Sequence, residues 1–164
     1  MFELVRPGLD YAAEHARREQ AGWRYTLEPG DFYPDAFPCL GALRAAGFRI
    51  GIAGNQPEAA ETSLAALGVP ADFIASSARW GVEKPDPAFF AKAVDAAGVP
   101  AGAIAYVGDR LDNDVLPARA AGMFSVFIRR GPWGVIQAAS PQAAEADLRL
   151  ETLVGLAEAL GRID

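Results

Sequence analysis

A chain of 164 residues and 17.3 kDa has the size of one ordinary domain, long enough to bury roughly 70% of the surface its extended form would expose. Hydrophobic residues at 51% and charged residues at 22% exclude a disordered or collagen-like chain. A net charge of −6 and a pI near 4.8 argue against nucleic acid as a partner, which would call for a basic stripe, and no apolar run reaches the roughly 20 residues of a membrane-spanning helix.

The opening MFELVRPGLDYAAEHARREQ carries no secretory-signal pattern, so the expected location is the cytoplasm. Cys39 is the single cysteine and His15 the single histidine, which leaves no internal disulfide and no Cys/His zinc site. A bound metal would be a hard cation on carboxylate oxygens. Lys84 and Lys92 are the two lysines in an arginine-biased, alanine-rich chain, so each lysine carries weight.

In chain order, residues 9–20 are expected to form a helix, and Pro34-Asp35 to open another that stops at Gly47. From there strands and helices alternate. Residues 48–53 (FRIGIA) read as a strand, 57–67 as a helix started by Pro57, 72–76 (DFIAS) as a strand and 87–97 as a helix. Residues 103–107 (AIAYV) make a strand, 113–121 a helix ended by Gly122 and 123–128 (MFSVFI) a strand. A short strand at 146–150 precedes a last helix at 151–160. Alternation with nearly continuous apolar strands predicts an α/β fold, a mainly parallel sheet covered on both faces in the manner of a Rossmann-like three-layer sandwich. Ligands then bind beyond the carboxyl ends of the strands.

Three strand ends carry chemistry. After FRIGIA, Gly54-Asn55-Gln56 lead into Pro57; such a turn serves as an anion site on backbone N–H groups or as a plain turn capped by Asn55. Between the second and third strands lies Gly81-Val82-Glu83-Lys84-Pro85-Asp86-Pro87. The following proline holds Lys84 extended, which suits a fixed positive charge beside a phosphate; the alternative is a surface lysine ahead of a helix capped by Asp86. After the third strand come Gly108-Asp109-Arg110-Leu111-Asp112-Asn113-Asp114. Three carboxylates within six residues repel one another, and a magnesium ion would relieve that repulsion. Capping of the next helix would account for Asp112 or Asp114 and leaves Asp109 unexplained.

The ordered set of strand-GN turn, GVEKPDPAFF and VGDRLDNDVLPARAAGM resembles the haloacid dehalogenase-like hydrolases, mostly phosphatases, over residues 31–164. The resemblance implies a 31–164 core domain and makes residues 1–30 the remnant of a helical cap with its linker. It assigns Lys84 to steadying phosphate and nucleophile, Asp109 to magnesium and Asp114 to support of that metal, with Asp112 as a substitute. Lys84, Asp109 and Asp114 are thus the catalytic candidates, and Gly54, Asn55 and Lys84 the substrate-binding ones. Gly54 stands where the family usually has a serine or threonine, so the hydroxyl contact is replaced by backbone N–H and the Asn55 amide.

The family's nucleophile is an aspartate ending the first strand in a DxD pattern. No apolar run of this chain ends in that pattern, and Asp10, Asp31 and Asp35 read as helix or turn residues. The family's first strand, which lies between those matching FRIGIA and AIAYV, is therefore expected to belong to sequence upstream of Met1. Leaving its place open would cost about 1–3 kcal/mol per unsatisfied buried group. Three outcomes follow: the neighbours pair directly, Met1 to Val5 insert as a strand, or another chain fills the place, which gives a reason to expect a homodimer. The functional expectation is a magnesium-dependent phosphatase acting on a small phosphorylated metabolite through an aspartyl-phosphate, inactive as this chain alone. The alternative is a non-catalytic phosphate-binding or protein-interaction module.

Overall fold

Proline and glycine placement sets many of the element boundaries in the computed structural model, which describes residues 8, 10–22 and 26–162. Helix α1 spans Tyr11–Gln20, its first turn capped by the Asp10 carboxylate, which accepts from Ala13 N–H at 2.9 Å. Helix α2 (Ala36–Ala45) follows Pro34-Asp35, and β1 (Gly51–Gly54) leads through Pro57 into α3 (Glu58–Ala66). Strand β2 (Phe73–Ser76) runs into the short α4 (Ser77–Trp80), which Gly81 ends in the left-handed conformation. Helix α5 (Pro87–Ala97) starts with a proline in its first turn and the Asp86 carboxylate as cap.

Strand β3 (Ala105–Gly108) gives way to a π-helical turn, Leu111–Val115, that continues as α6 (Leu116–Ala120). Then come β4 (Phe124–Ile128), α7 (Gly131–Gln137), β5 (Leu148–Leu150) and α8 (Leu156–Leu160). The expected helix 113–121 is thus split into a π turn and α6. The expected last helix begins at Leu156 instead of residue 151, because Gly155 at φ +81° turns the chain just before it. Helices α4 and α7 were not anticipated.

Every strand pairing is parallel, in two pieces. Gly51 to Gly54 pair with Phe73 to Ser76; Ala105 to Gly108 pair with Phe124 to Phe127; and Val126 to Ile128 pair with Leu148 to Leu150. The result is the expected α/β, Rossmann-like arrangement, with β1-β2 as one piece and β3-β4-β5 as the other. Direct pairing of the strands matching FRIGIA and AIAYV does not occur: no ladder joins β1 to β3. Their lack of pairing shows in exposure, since β3 is half-buried throughout while four of the five residues of β4 are buried. The second outcome, a strand at Met1 to Val5, lies outside the described residues.

Aspartates set where the ladders begin. Asp72, just before β2, accepts from Ile50 N–H at 2.7 Å, so the first ladder starts at Gly51 rather than at Phe48. Asp147, just before β5, accepts from Ser125 N–H at 2.8 Å and from its hydroxyl at 2.7 Å. Each carboxylate stands in for a ladder partner where the strands separate.

The pleat of β3 divides the core between two faces. Ala105 and Val107 pack with Cys39, Leu43, Val126 and Leu156 under α2 and α8. Tyr106 packs with Phe89, Phe90 and Ala93 of α5 and with Ala118 and Met123. Ala53 of β1 leans on the same α5 cluster, so that cluster spans both pieces of sheet. Phe89, Phe90 and Phe127 are at most 1% exposed, and each burial of this kind contributes about 2–3 kcal/mol. Among the described residues, no helix is long and apolar enough to cross a membrane.

One ion pair ties α2 to the far ends of β4 and β5. The Asp35 carboxylate accepts from both Arg130 guanidinium arms, at 2.8 and 2.5 Å, and from Leu153 N–H at 2.9 Å. Arg130 also stacks over the Tyr33 ring, its Cζ 4.2 Å from the centroid. The Arg130 contact dominates and outweighs burial, so the carboxyl titrates at about 2 instead of 3.8. A depressed folded-state value stabilises the fold above the unfolded value and is lost as pH falls through the folded one. Asp35→Asn should therefore cost about 2 kcal/mol near pH 7. In urea titrations the difference from wild type should shrink as pH falls from about 4 towards about 2. A pH-independent difference would contradict this account.

Candidate active site

Gly108 makes the site's central contact sterically feasible. A Cβ there would lie 2.3 Å from Asp114 Cβ and 2.6 Å from its Cγ, so only glycine lets the π turn fold Asp114 back over the end of β3. Widening of the helix at Leu111–Val115 accompanies this return, and both Asp114 N–H and Val115 N–H reach the carbonyl of Arg110. Asp114 Oδ2 accepts from Arg110 N–H at 3.2 Å, and its Oδ1 accepts from Lys84 Nζ. Side-chain exposure is 11% for Lys84 and 6% for Asp114, which makes this a shielded ion pair.

Lys84 arrives from the loop between α4 and α5, and its ammonium lies 5.7 Å from the Phe89 ring centroid and 5.8 Å from that of Tyr106. Two ring faces and one carboxylate therefore hold the charge in place. Neither aromatic is singled out by the sequence; the only signal is that Phe89 lies on the helix that follows the loop and Tyr106 on the strand after that helix. Burial, reinforced by the negative charge of Asp114, pushes the Tyr106 phenol far above its ordinary value.

Asp109 follows Gly108 and is half-buried. Desolvation and then the nearby Asp114 charge raise its carboxyl above the ordinary aspartate value, against smaller opposing effects of its own backbone N–H, Lys84 and Arg110. It lines a cleft of about 380 Å³ with Tyr33, Gly108, Arg130 and Gly131. Gly131, at φ +67°, lets the chain pass close to this carboxylate, since a Cβ there would come within 3.2 Å of Asp109 Oδ2.

Asp112 goes elsewhere. It pairs with Arg110 at 2.6 and 3.2 Å and accepts from Gln137 Nε2 at 2.8 Å, and chiefly through Arg110 its carboxyl is lowered. Gln137 Oε1 in turn accepts from Leu111 N–H at 2.7 Å, and Arg110 stacks over Trp133, its Cζ 4.7 Å from the centroid. This surface network fixes the π turn to α7. The substitute role for Asp112 thus fits poorly with its two engaged oxygens. Asp112-Asn113-Asp114 is an Asp-x-Asp by spacing, but Asp114 is tied to Lys84 and the pair lies in the π turn beyond β3 rather than at the end of a strand.

Gly54 and Asn55 end β1. Gly54 lines a separate hollow of about 260 Å³ with Ile52, Gln56, Leu64 and Phe32. The Asn55 amide reaches Lys84 itself: Oδ1 accepts from Lys84 N–H at 2.7 Å, and Nδ2 donates to the Lys84 carbonyl at 2.9 Å. The rejected nucleophile candidates have structural work: Asp10 caps α1, Asp31 accepts from Glu28 N–H at 2.8 Å, and Asp35 holds Arg130.

Asn55, Lys84, Asp114 and Asp109 thus form one continuous set at the carboxyl ends of β1 and β3, on both sides of the gap in the sheet. Among the described residues no three metal-binding side chains converge. Two neighbouring carboxylates, one of them raised in pKa by burial and then by its neighbour's charge, nevertheless form a donor set that fits magnesium, which typically takes one or two protein carboxylates and completes its shell with water and substrate oxygens.

Comparison with known proteins finds relatives in both sequence and fold. The family model for haloacid dehalogenase-like hydrolases matches residues 2–122. A glyceraldehyde 3-phosphate phosphatase of Methanopyrus kandleri is 42% identical over 108 residues, 62% of this chain and 45% of that protein. A phosphoserine phosphatase of Thermus thermophilus is 36% identical over 131 residues, 78% of this chain and 51% of that protein. The chain therefore spans about half the length of these curated relatives. Among solved structures, a phosphatase from Thermococcus onnurineus superposes with a TM-score of 0.69 at 28% identity, covering 98% of this chain and 68% of that one.

Proposed function

Since the chain belongs to the haloacid dehalogenase-like hydrolase family, we propose that it forms the cation- and oxyanion-holding part of a phosphatase for small phosphorylated metabolites. The observation that carries this reading is the shielded Lys84–Asp114 pair beside the half-buried Asp109. Phosphatases among the relatives, with three-carbon phosphate and phosphoserine substrates in their names, support it.

Lys84 presents a rigid positive charge to the phosphoryl oxygens, and Asp114 and the two aromatic rings keep that charge from wandering. Asp109 would hold magnesium, and Asp114 would support it. Magnesium, when bound, supplies neutralisation of charge on the transferring group. Gly54 contributes backbone N–H at the end of β1. The attacking group is an aspartate on a strand that enters between β1 and β3; its oxygen bonds to phosphorus as the ester oxygen leaves, and water then releases phosphate from the aspartyl-phosphate. The 164-residue chain alone lacks turnover on this reading.

Strand addition tests it. A synthetic apolar peptide ending in Asp-x-Asp, added to the purified chain with magnesium, should raise hydrolysis of an aryl phosphate above background. Lys84→Met in the same mixture should abolish the gain. Turnover by the chain without the peptide would refute the assignment of the nucleophile. No gain with the peptide, with phosphate still bound at Lys84, would favour the alternative of a non-catalytic phosphate-binding module.

A further inference from the structure

Lys84 stands in the middle of a loop whose two ends are fixed. Gly81 closes α4 behind it, with Gly81 N–H on the Ser77 carbonyl at 2.8 Å. The Asp86 carboxylate caps α5 ahead of it, accepting from Ala88 N–H at 2.8 Å. Neither anchor acts on Lys84 itself. Its own main-chain N–H and carbonyl both go to a side chain 29 residues earlier, that of Asn55.

This contact has only one workable sense. The carboxamide oxygen must face the Lys84 N–H and the amide nitrogen must face the Lys84 carbonyl, because the flipped orientation would set donor against donor and acceptor against acceptor. The side chain thereby imitates one rung of a β-ladder between the end of β1 and the loop. Asn55 is itself held, since the next residue, Gln56, donates its N–H to Ser77 Oγ at 3.2 Å and accepts from Ala78 N–H at 3.3 Å. A fixed β1 end is therefore linked through one carboxamide to the Cα from which a four-carbon stem carries the ammonium. A lysine stem has freely rotating bonds, so an ammonium can be held over two rings and against a carboxylate only if its starting point is fixed.

We propose that Asn55 is a positioning residue for the Lys84 ammonium, acting through the Lys84 main chain rather than by touching the phosphoryl group. The proposal rests on the reading of Lys84 as the oxyanion partner and assigns to Asn55 an indirect part in that site.

With two lysines in the sequence, protein labelled with ¹³C-lysine gives two εCH₂ signals. Ring currents of Phe89 and Tyr106 should displace that of Lys84, whereas that of exposed Lys92 should lie at the ordinary position. In Asn55→Ala the Lys84 signal should move towards that of Lys92, with Lys92 unmoved. Inorganic phosphate, followed through the Lys84 signal, should bind about fivefold more weakly. Asn55→Asp keeps the acceptor for Lys84 N–H and loses the donor to its carbonyl, so it should fall between wild type and Asn55→Ala. It also decides the matter if the alanine variant does not fold.

A Lys84 signal that stays in place in both variants would overturn the proposal. Weaker phosphate binding with an unmoved Lys84 signal would also overturn it, by placing Asn55 on the oxyanion directly. A wild-type Lys84 signal indifferent to phosphate would instead count against the functional reading of Lys84, while the shift in Asn55→Ala still measured its positioning.

Discussion

Gly108→Ala should be among the most damaging small substitutions in the chain, with a loss of about 3 kcal/mol or more in urea-induced unfolding. The added methyl would meet Asp114 Cβ at 2.3 Å and Cγ at 2.6 Å, and neither is the loose end of a flexible side chain. Relief requires the π turn to lift away from β3. Asp114 cannot lift without releasing Lys84 Nζ and Arg110 N–H, so the clash becomes a broken ion pair in a shielded place. Gly41→Ala is the matching control. Gly41 lies inside α2 with open space where its Cβ would stand, and there alanine should stabilise by about 0.5–1 kcal/mol. Equal tolerance of both substitutions would mean that Asp114 does not fold over Gly108.

Lys84→Met should cost about 3–5 kcal/mol, because it leaves the Asp114 carboxylate, 6% exposed, without its cation. Methionine keeps an unbranched apolar stem in that place, which separates the charge from the volume of the side chain. The double variant Lys84→Met/Asp114→Asn should recover about half of the loss or more, since the orphaned charge is then gone while Arg110 N–H keeps an acceptor. Lys92→Met, at an exposed position of α5, should stay within about 0.5 kcal/mol of wild type. A Lys84→Met protein no less stable than Lys92→Met would contradict the shielded pair.

Much of the architecture could be read from residue order alone. Prolines at 57 and 87 and glycines at 47, 81 and 122 punctuate the chain at element ends, and apolar runs such as MFSVFI had to be strands buried on both faces. Boundaries failed where a distant side chain decided them. Asp72 takes the N–H of Ile50, and Asp147 takes that of Ser125, each 22 residues away, so no local pattern could place the first rungs of those ladders. The π turn was hidden for a related reason: its widening accommodates a contact between Asp114 and a lysine 30 residues earlier.

At the site, Lys84 pairs with Asp114 as residue order alone suggested it could, and Asp109 follows β3 with a carboxyl raised first by burial and then by the Asp114 charge. Asn55 was read as a cap or phosphate contact, yet its amide lies on the Lys84 main chain, a partner that only folding brings near. Asp112 stood in the sequence only as a substitute for Asp114. Arg110, Gln137 and the stacked Trp133 draw it to the surface instead.

The mutual dependence of magnesium and orthophosphate binding tests the common site most directly, because a coupling between two ligands is reciprocal. Calorimetric titration of the chain with magnesium, repeated in saturating orthophosphate, should show the metal binding more tightly when phosphate is present and phosphate gaining by the same factor from magnesium. Asp109→Asn should remove the coupling. Two ligands that bind without regard to each other, or a coupling that survives Asp109→Asn, would contradict the account.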